Sequence, residues 1–125
     1  MTTLKMCISV TGMAIAMSIA VAASAHSFPE SETPSAGQNV ASSPSEVTIN
    51  FDAPIEKLFA KLEVTSADGK NEAASAPQVS DDGHHLSVKV ASLKPGDYMV
   101  KWAVVGIDTH HTEGSYTFSI SSGGS

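Results

Sequence analysis

The stretch LKPGDYMVKWAVVGIDTHHTEGSYTFSI, residues 93–120, decides the fold. Tyr98, Val100, Trp102 and Val104 take alternate positions, and Tyr116, Phe118 and Ile120 do so again. Successive side chains on a strand point to opposite faces, so a period of two predicts two strands, each with one buried face. Between them the apolar rhythm stops at Gly106 and a polar run, Asp108-Thr109-His110-His111, follows. That break predicts a loop at one end of the structure.

The same rhythm extends outward through the chain. Val47, Ile49 and Phe51 share one face of an earlier strand, and Leu58, Ala60, Leu62 and Val64 mark another that ends at Ala67-Asp68-Gly69. A loose Ala/Ser stretch, 73–79, precedes Leu86, Val88 and Val90. Residues 26–46 carry Pro29, Pro34, Gly37 and Pro44, which predict an extended arm with at most a short strand. Five strands at short spacing with Pro/Gly turns predict an all-β chain, a small antiparallel sandwich. Lys94-Pro95-Gly96-Asp97-Tyr98 resembles the corner of immunoglobulin-like domains, where a tyrosine hydroxyl bonds back to nearby backbone. A plain Pro-Gly turn with Tyr98 in the core is the alternative.

Upstream of the arm the sequence has a different character. Lys5 precedes an apolar run from Met6 to Ala22, which ends in Ala23-Ser24-Ala25. A basic start, an apolar middle and small residues at −3 and −1 predict a secretory signal cut between Ala25 and His26. The expected organisation is therefore a signal over 1–25 and one domain over 26–125. A transmembrane anchor is the competing reading, but no basic stop-transfer cluster follows the run. Val21-Ala22-Ala23 offers a second cut, leaving Ser24 first.

Cleavage changes the chemistry available. Cys7, the single cysteine, leaves with the signal, so disulfides, thiolate metal sites and cysteine nucleophiles are excluded from the product. Met99 alone of five methionines stays, and its neighbours Tyr98 and Val100 suggest core packing. Without Lys5, six lysines face thirteen carboxylates, a net charge of −7. Such a surface is unsuited to binding nucleic acid or an anionic leaflet, and membrane insertion is not expected once the signal is gone. No phosphate loop, dinucleotide fingerprint or nucleophile–base motif is present, so no enzyme activity of those classes is expected.

The five histidines carry what chemistry remains. Cleavage makes His26 the first residue, and its α-amine and ring Nδ1 can then chelate a metal together. The amine, with an ordinary pKa near 8, gives up its proton to a metal readily. In an extended segment residues i and i+2 point the same way, so Asp108 and His110 can face one point. His111 then points away. His84 and His85 follow Asp81-Asp82-Gly83 and read as part of a polar hairpin turn. Glu113 reads as a surface charge that is also placed to hydrogen-bond an imidazole.

The Ala25-His26 junction, Pro34-x-x-Gly37, Pro44-x-x-Val47-x-x-x-Phe51, and Trp102-(x)5-Asp108-Thr109-His110-(x)3-Gly114-x-Tyr116-x-Phe118 together resemble the CopC copper-resistance family. The likeness spans essentially the whole chain after residue 25. It implies a periplasmic Greek-key β-sandwich or barrel of immunoglobulin-like, cupredoxin-like shape that binds Cu(II). It also implies ligands at His26, Asp108 and His110, with an inner-membrane copper transport protein as a recipient. Two imidazoles, an amine and a carboxylate form a mixed N/O set that suits one tetragonal Cu(II) ion, although tetrahedral zinc can use the same donors. Some relatives carry a methionine-rich Cu(I) site. Soft thioethers must converge to make one, and Met99 alone cannot. Two other readings stand beside a copper carrier: a copper oxidase of the histidine-brace type, and a metal-free immunoglobulin-like adhesion or assembly domain.

Overall fold

Two four-stranded sheets lie face to face and share one apolar core. The computed structural model describes residues 27–122, so the signal reading and His26 lie outside the described residues. In chain order the strands are β1 (Pro29–Thr33), β2 (Asn39–Val40), β3 (Glu46–Phe51), β4 (Lys61–Ser66), β5 (Gln78–Val79), β6 (His85–Lys89), β7 (Gly96–Val105) and β8 (His111–Ile120). One sheet has the order β1-β3-β6-β5 and the other β2-β8-β7-β4. The chain passes repeatedly from one sheet to the other, in the manner of a Greek key, and the sheets do not close into a barrel. Pairing is antiparallel except at β2, which runs parallel to β8. The proline-rich arm thus contributes two short strands, one to each sheet.

Alternation fills the interior as expected. Val47, Ile49 and Phe51 of β3 and Leu86 and Val88 of β6 face Leu62 and Val64 of β4, the even positions 98–104 of β7, and Tyr116, Phe118 and Ile120 of β8. Each such side chain contributes about 1.5–3 kcal/mol through burial, and no covalent staple supplements them in residues 27–122. The Phe51 and Trp102 rings meet edge to face at 5.4 Å, while Tyr98 and Phe118 stack at 5.5 Å. Gly114 stands opposite Trp102 because the indole lies over it: a Cβ there would come within 2.7 Å of the ring. The Tyr98 hydroxyl donates to the Lys94 carbonyl at 2.5 Å, the corner geometry. Tyr116 is buried too, but its hydroxyl finds no hydrogen-bond partner among the described residues. Burial, and next the charge of Glu32, push that phenol far above its ordinary value.

Two expectations are corrected. The strand expected from Leu58 begins only at Lys61. After Phe51 the chain must cross between sheets, and a 3-10 turn, Lys57–Phe59, leaves Leu58 and Phe59 89% and 60% exposed. Met99 lies on the outer face between Thr65 and Thr117, 40% exposed, rather than in the core. Its neighbours Tyr98 and Val100 already hold the inward positions, and the two-residue period forces Met99 out.

Candidate metal centre

The β7–β8 hairpin closes with a bond from Gly106 N–H to the His110 carbonyl at 2.9 Å, leaving Ile107, Asp108 and Thr109 as a three-residue connection. Such connections commonly need a left-handed residue at the third position. Thr109 takes it, with φ +73°. A β-branched residue is strained there by about 1–3 kcal/mol. The segment is therefore a tight turn, and the extended i, i+2 geometry expected for Asp108 and His110 does not apply. The two side chains come together by another route. Asp108 Oδ1 accepts the His110 backbone N–H at 3.1 Å, and Oδ2 lies 3.1 Å from His110 Nδ1. A carboxylate held on Nδ1 orients the imidazole.

The start of the described chain packs against this turn. Ser27 is 1% exposed. Its hydroxyl donates to the Pro54 carbonyl at 3.2 Å, and its own carbonyl accepts the buried Thr112 hydroxyl at 2.8 Å. Phe28 N–H donates to Asp52 Oδ1 at 2.8 Å, while Asp52 N–H returns a bond to the Phe28 carbonyl at 2.9 Å. Gly106 is the meeting point. A Cβ on it would lie 2.6 Å from Asp108 Oδ1 and 3.0 Å from Ser27 Oγ. The absence of a side chain at 106 is what lets the N-terminal segment and the Asp108 carboxylate converge.

Among the described residues no three His, Cys, Asp or Glu side chains gather as a metal site. Asp108 and His110 supply two candidate donors, and His26, the third expected one, is joined directly to Ser27. The other histidines are tied elsewhere. His84 Nδ1 lies 2.9 Å from the Phe51 carbonyl, and His85 Nδ1 contacts Asn50 Oδ1. Both follow the tight turn closed by Gly83 N–H on the Ser80 carbonyl, in keeping with the hairpin reading. His111 opens β8 opposite Val105 and is exposed, as is Glu113 opposite Ala103. Sequence reasoning missed Ser27, Asp52, Gly106 and Thr112. They carry no metal-binding signature, and the single hint was a glycine at the start of the loop.

The fold and the turn define a small two-sheet β-sandwich protein with a histidine–carboxylate pair at one end. A sequence profile of the CopC domain matches residues 29–121, and the chain belongs to the CopC family. It is 37% identical over 98 residues to Protein YobA of Escherichia coli strain K12, covering 77% of this chain and 79% of the relative. It is 31% identical over 114 residues to Copper resistance protein C of Escherichia coli, covering 85% and 90%. Copper transport protein CutJ of Bacillus subtilis strain 168 is 30% identical over 98 residues, which are 77% of this chain but 18% of that protein. The crystal structure of CopC from Methylosinus trichosporium OB3b superposes with a TM-score of 0.72 at 30% identity, covering 77% of this chain and 94% of that one. Members of this family bind copper and are not enzymes.

Proposed function

We propose that the chain is exported to the periplasm, is cut before His26, and there buffers or carries one Cu(II) ion for copper homeostasis and resistance. In this reading the α-amine and imidazole of His26, the imidazole of His110 and the carboxylate of Asp108 hold the ion. Four N/O donors suit the tetragonal preference of Cu(II), which also heads the divalent affinity order. The observation that carries the reading is the seat of Ser27, buried against Gly106 beside the Asp108 carboxylate. It supports a free amine at residue 26 as a third donor group to a turn that already offers two.

The same reading expects no Cu(I) methionine site, because Met99 stands alone on an outer face. An inner-membrane copper transport protein is the proposed exchange partner. CutJ supports this, since its name is that of a copper transport protein and the segment similar to this chain is a small part of its length. The test is an EPR-monitored Cu(II) titration of exported protein whose first residue is verified by intact mass. One tight equivalent with tetragonal nitrogen/oxygen coordination, lost in His26→Ala and in His110→Ala, is expected. Near-unchanged affinity in either variant refutes the assignment.

A further inference from the structure

Chain ends usually fray, because few contacts repay the ordering of the last residues. On the proposed cut before His26, Ser27 is the second residue of the chain, yet it is only 1% exposed. Among the described residues Ser27 and Phe28 share four hydrogen bonds with two separate parts of the fold. Pro54 and Asp52 lie in the crossing segment after β3, and Thr112 lies in β8, two residues beyond His110. The Thr112 hydroxyl is buried, and among the described residues it donates to the Ser27 carbonyl. Asp52 grips Phe28 from both sides of one residue, with its carboxylate on the N–H and its own N–H on the carbonyl.

We propose that Thr112 and Asp52 are positioning residues for copper binding, which latch residues 27–28 so that His26 meets Asp108 and His110 already ordered. The inference rests on the reading of His26 as a ligand. Its physical basis is preorganisation: a floppy N-terminus must be immobilised each time the ion binds, whereas a latched one has been ordered by folding. Thr112 also ties the N-terminal segment to the strand that follows His110, so both candidate donor arms share one rigid support. Neither residue contacts the ion; both act through the backbone that leads to it.

The experiment is a Cu(II) competition titration of mature protein carrying Thr112→Val, Thr112→Ser or Asp52→Ala, each repeated in a His26→Ala background. Val matches the shape of threonine and removes only the hydroxyl donor, while Ser restores it. Asp52 is exposed, so Asp52→Ala keeps the test alive where Thr112→Val fails to fold. Loss of one such hydrogen bond corresponds to about a tenfold weaker affinity. The expected result is that loss in Thr112→Val and Asp52→Ala, recovery in Thr112→Ser, and no further loss when either is added to His26→Ala. Tyr98→Phe, which breaks a hydrogen bond at the far end of β7, serves as a control for lowered stability without lowered affinity. Unchanged copper affinity in Thr112→Val and Asp52→Ala, with His26→Ala strongly impaired, overturns the latch and leaves the ligand reading intact. Undiminished affinity in His26→Ala itself overturns the ligand reading and the latch with it.

Discussion

Replacing Gly106 with alanine tests the convergence at the candidate site most directly. Gly106 does not sit in the left-handed region, so the backbone itself accepts a side chain. The added methyl is what matters: it would stand 2.6 Å from Asp108 Oδ1 and 3.0 Å from Ser27 Oγ. Both distances are shorter than ordinary van der Waals contact, and the carboxylate is held by two contacts to His110. Moving it forfeits about 1 kcal/mol of hydrogen bonding, and crowding Ser27 adds about 1–3 kcal/mol of overpacking. Stiffening the unfolded chain returns about 0.4–1 kcal/mol. The net expectation is a loss of about 1–3.5 kcal/mol, or a Tm lower by roughly 4–28 °C for a domain of this size. Copper affinity falls further, by about tenfold or more, because the carboxylate and the N-terminal segment move together. Thermal and urea unfolding in the presence of a chelator give the first number, and a competition titration gives the second. Gly37→Ala is the control: its φ is +76° with nothing within 4 Å, so it costs about 1–2 kcal/mol of backbone strain and spares copper binding. A Gly106→Ala protein as stable as the parent, with copper affinity intact, would refute the argument that a bare Cα joins the two segments.

Other consequences can be checked with the same assays. Tyr116→Phe removes a buried hydroxyl that has no partner among the described residues, so it is expected to raise unfolding stability by about 1 kcal/mol, and a loss of stability would show that the hydroxyl is satisfied. Tyr98→Phe breaks the bond to the Lys94 carbonyl and should cost about 1 kcal/mol with copper binding unchanged. Thr109→Gly relieves the left-handed strain and is expected to stabilise the metal-free protein by about 1 kcal/mol; destabilisation would mean that the threonine is comfortable at φ +73°. The Asp82 carboxyl is held below its ordinary 3.8 by the Ser80 hydroxyl first and the His84 N–H second. A lowered folded value means that its contribution is full above about pH 4 and is lost as pH falls through that folded value. Asp82→Asn should therefore flatten the acid limb of the stability–pH curve, lying below the parent at about pH 6–7 and converging with it towards about pH 2, as urea midpoints across pH 2–7 will show.

How the sequence anticipates the fold depends on what each stretch has to do. Where a strand pairs on both sides and faces the core, as β3, β6, β7 and β8 do, period two alone places the inward residues, because the pleat permits no other arrangement. The rule fails over Leu58–Ala60. There the same rhythm occurs by chance in a segment that must cross between sheets, and the crossing, which no local pattern encodes, turns Leu58 into solvent. The short strands β1 and β2 were equally hidden, since their hydrogen-bonding partners are remote and prolines obscure their pattern. At the candidate site, residue type and spacing draw attention to Asp108 and His110, and the resemblance to the CopC family is what makes them candidate ligands. Their convergence comes from a turn with Thr109 in the left-handed region, in place of an extended strand. Sequence by itself determined the all-β architecture, the inventory of donor atoms and the absence of thiolate chemistry after residue 25, since these follow from local periodicity and composition. Tertiary structure alone decided that Ser27, Asp52, Gly106 and Thr112 belong to one site. They are brought together by hydrogen bonds and close packing across up to 85 positions of sequence, and such contacts leave no local signature.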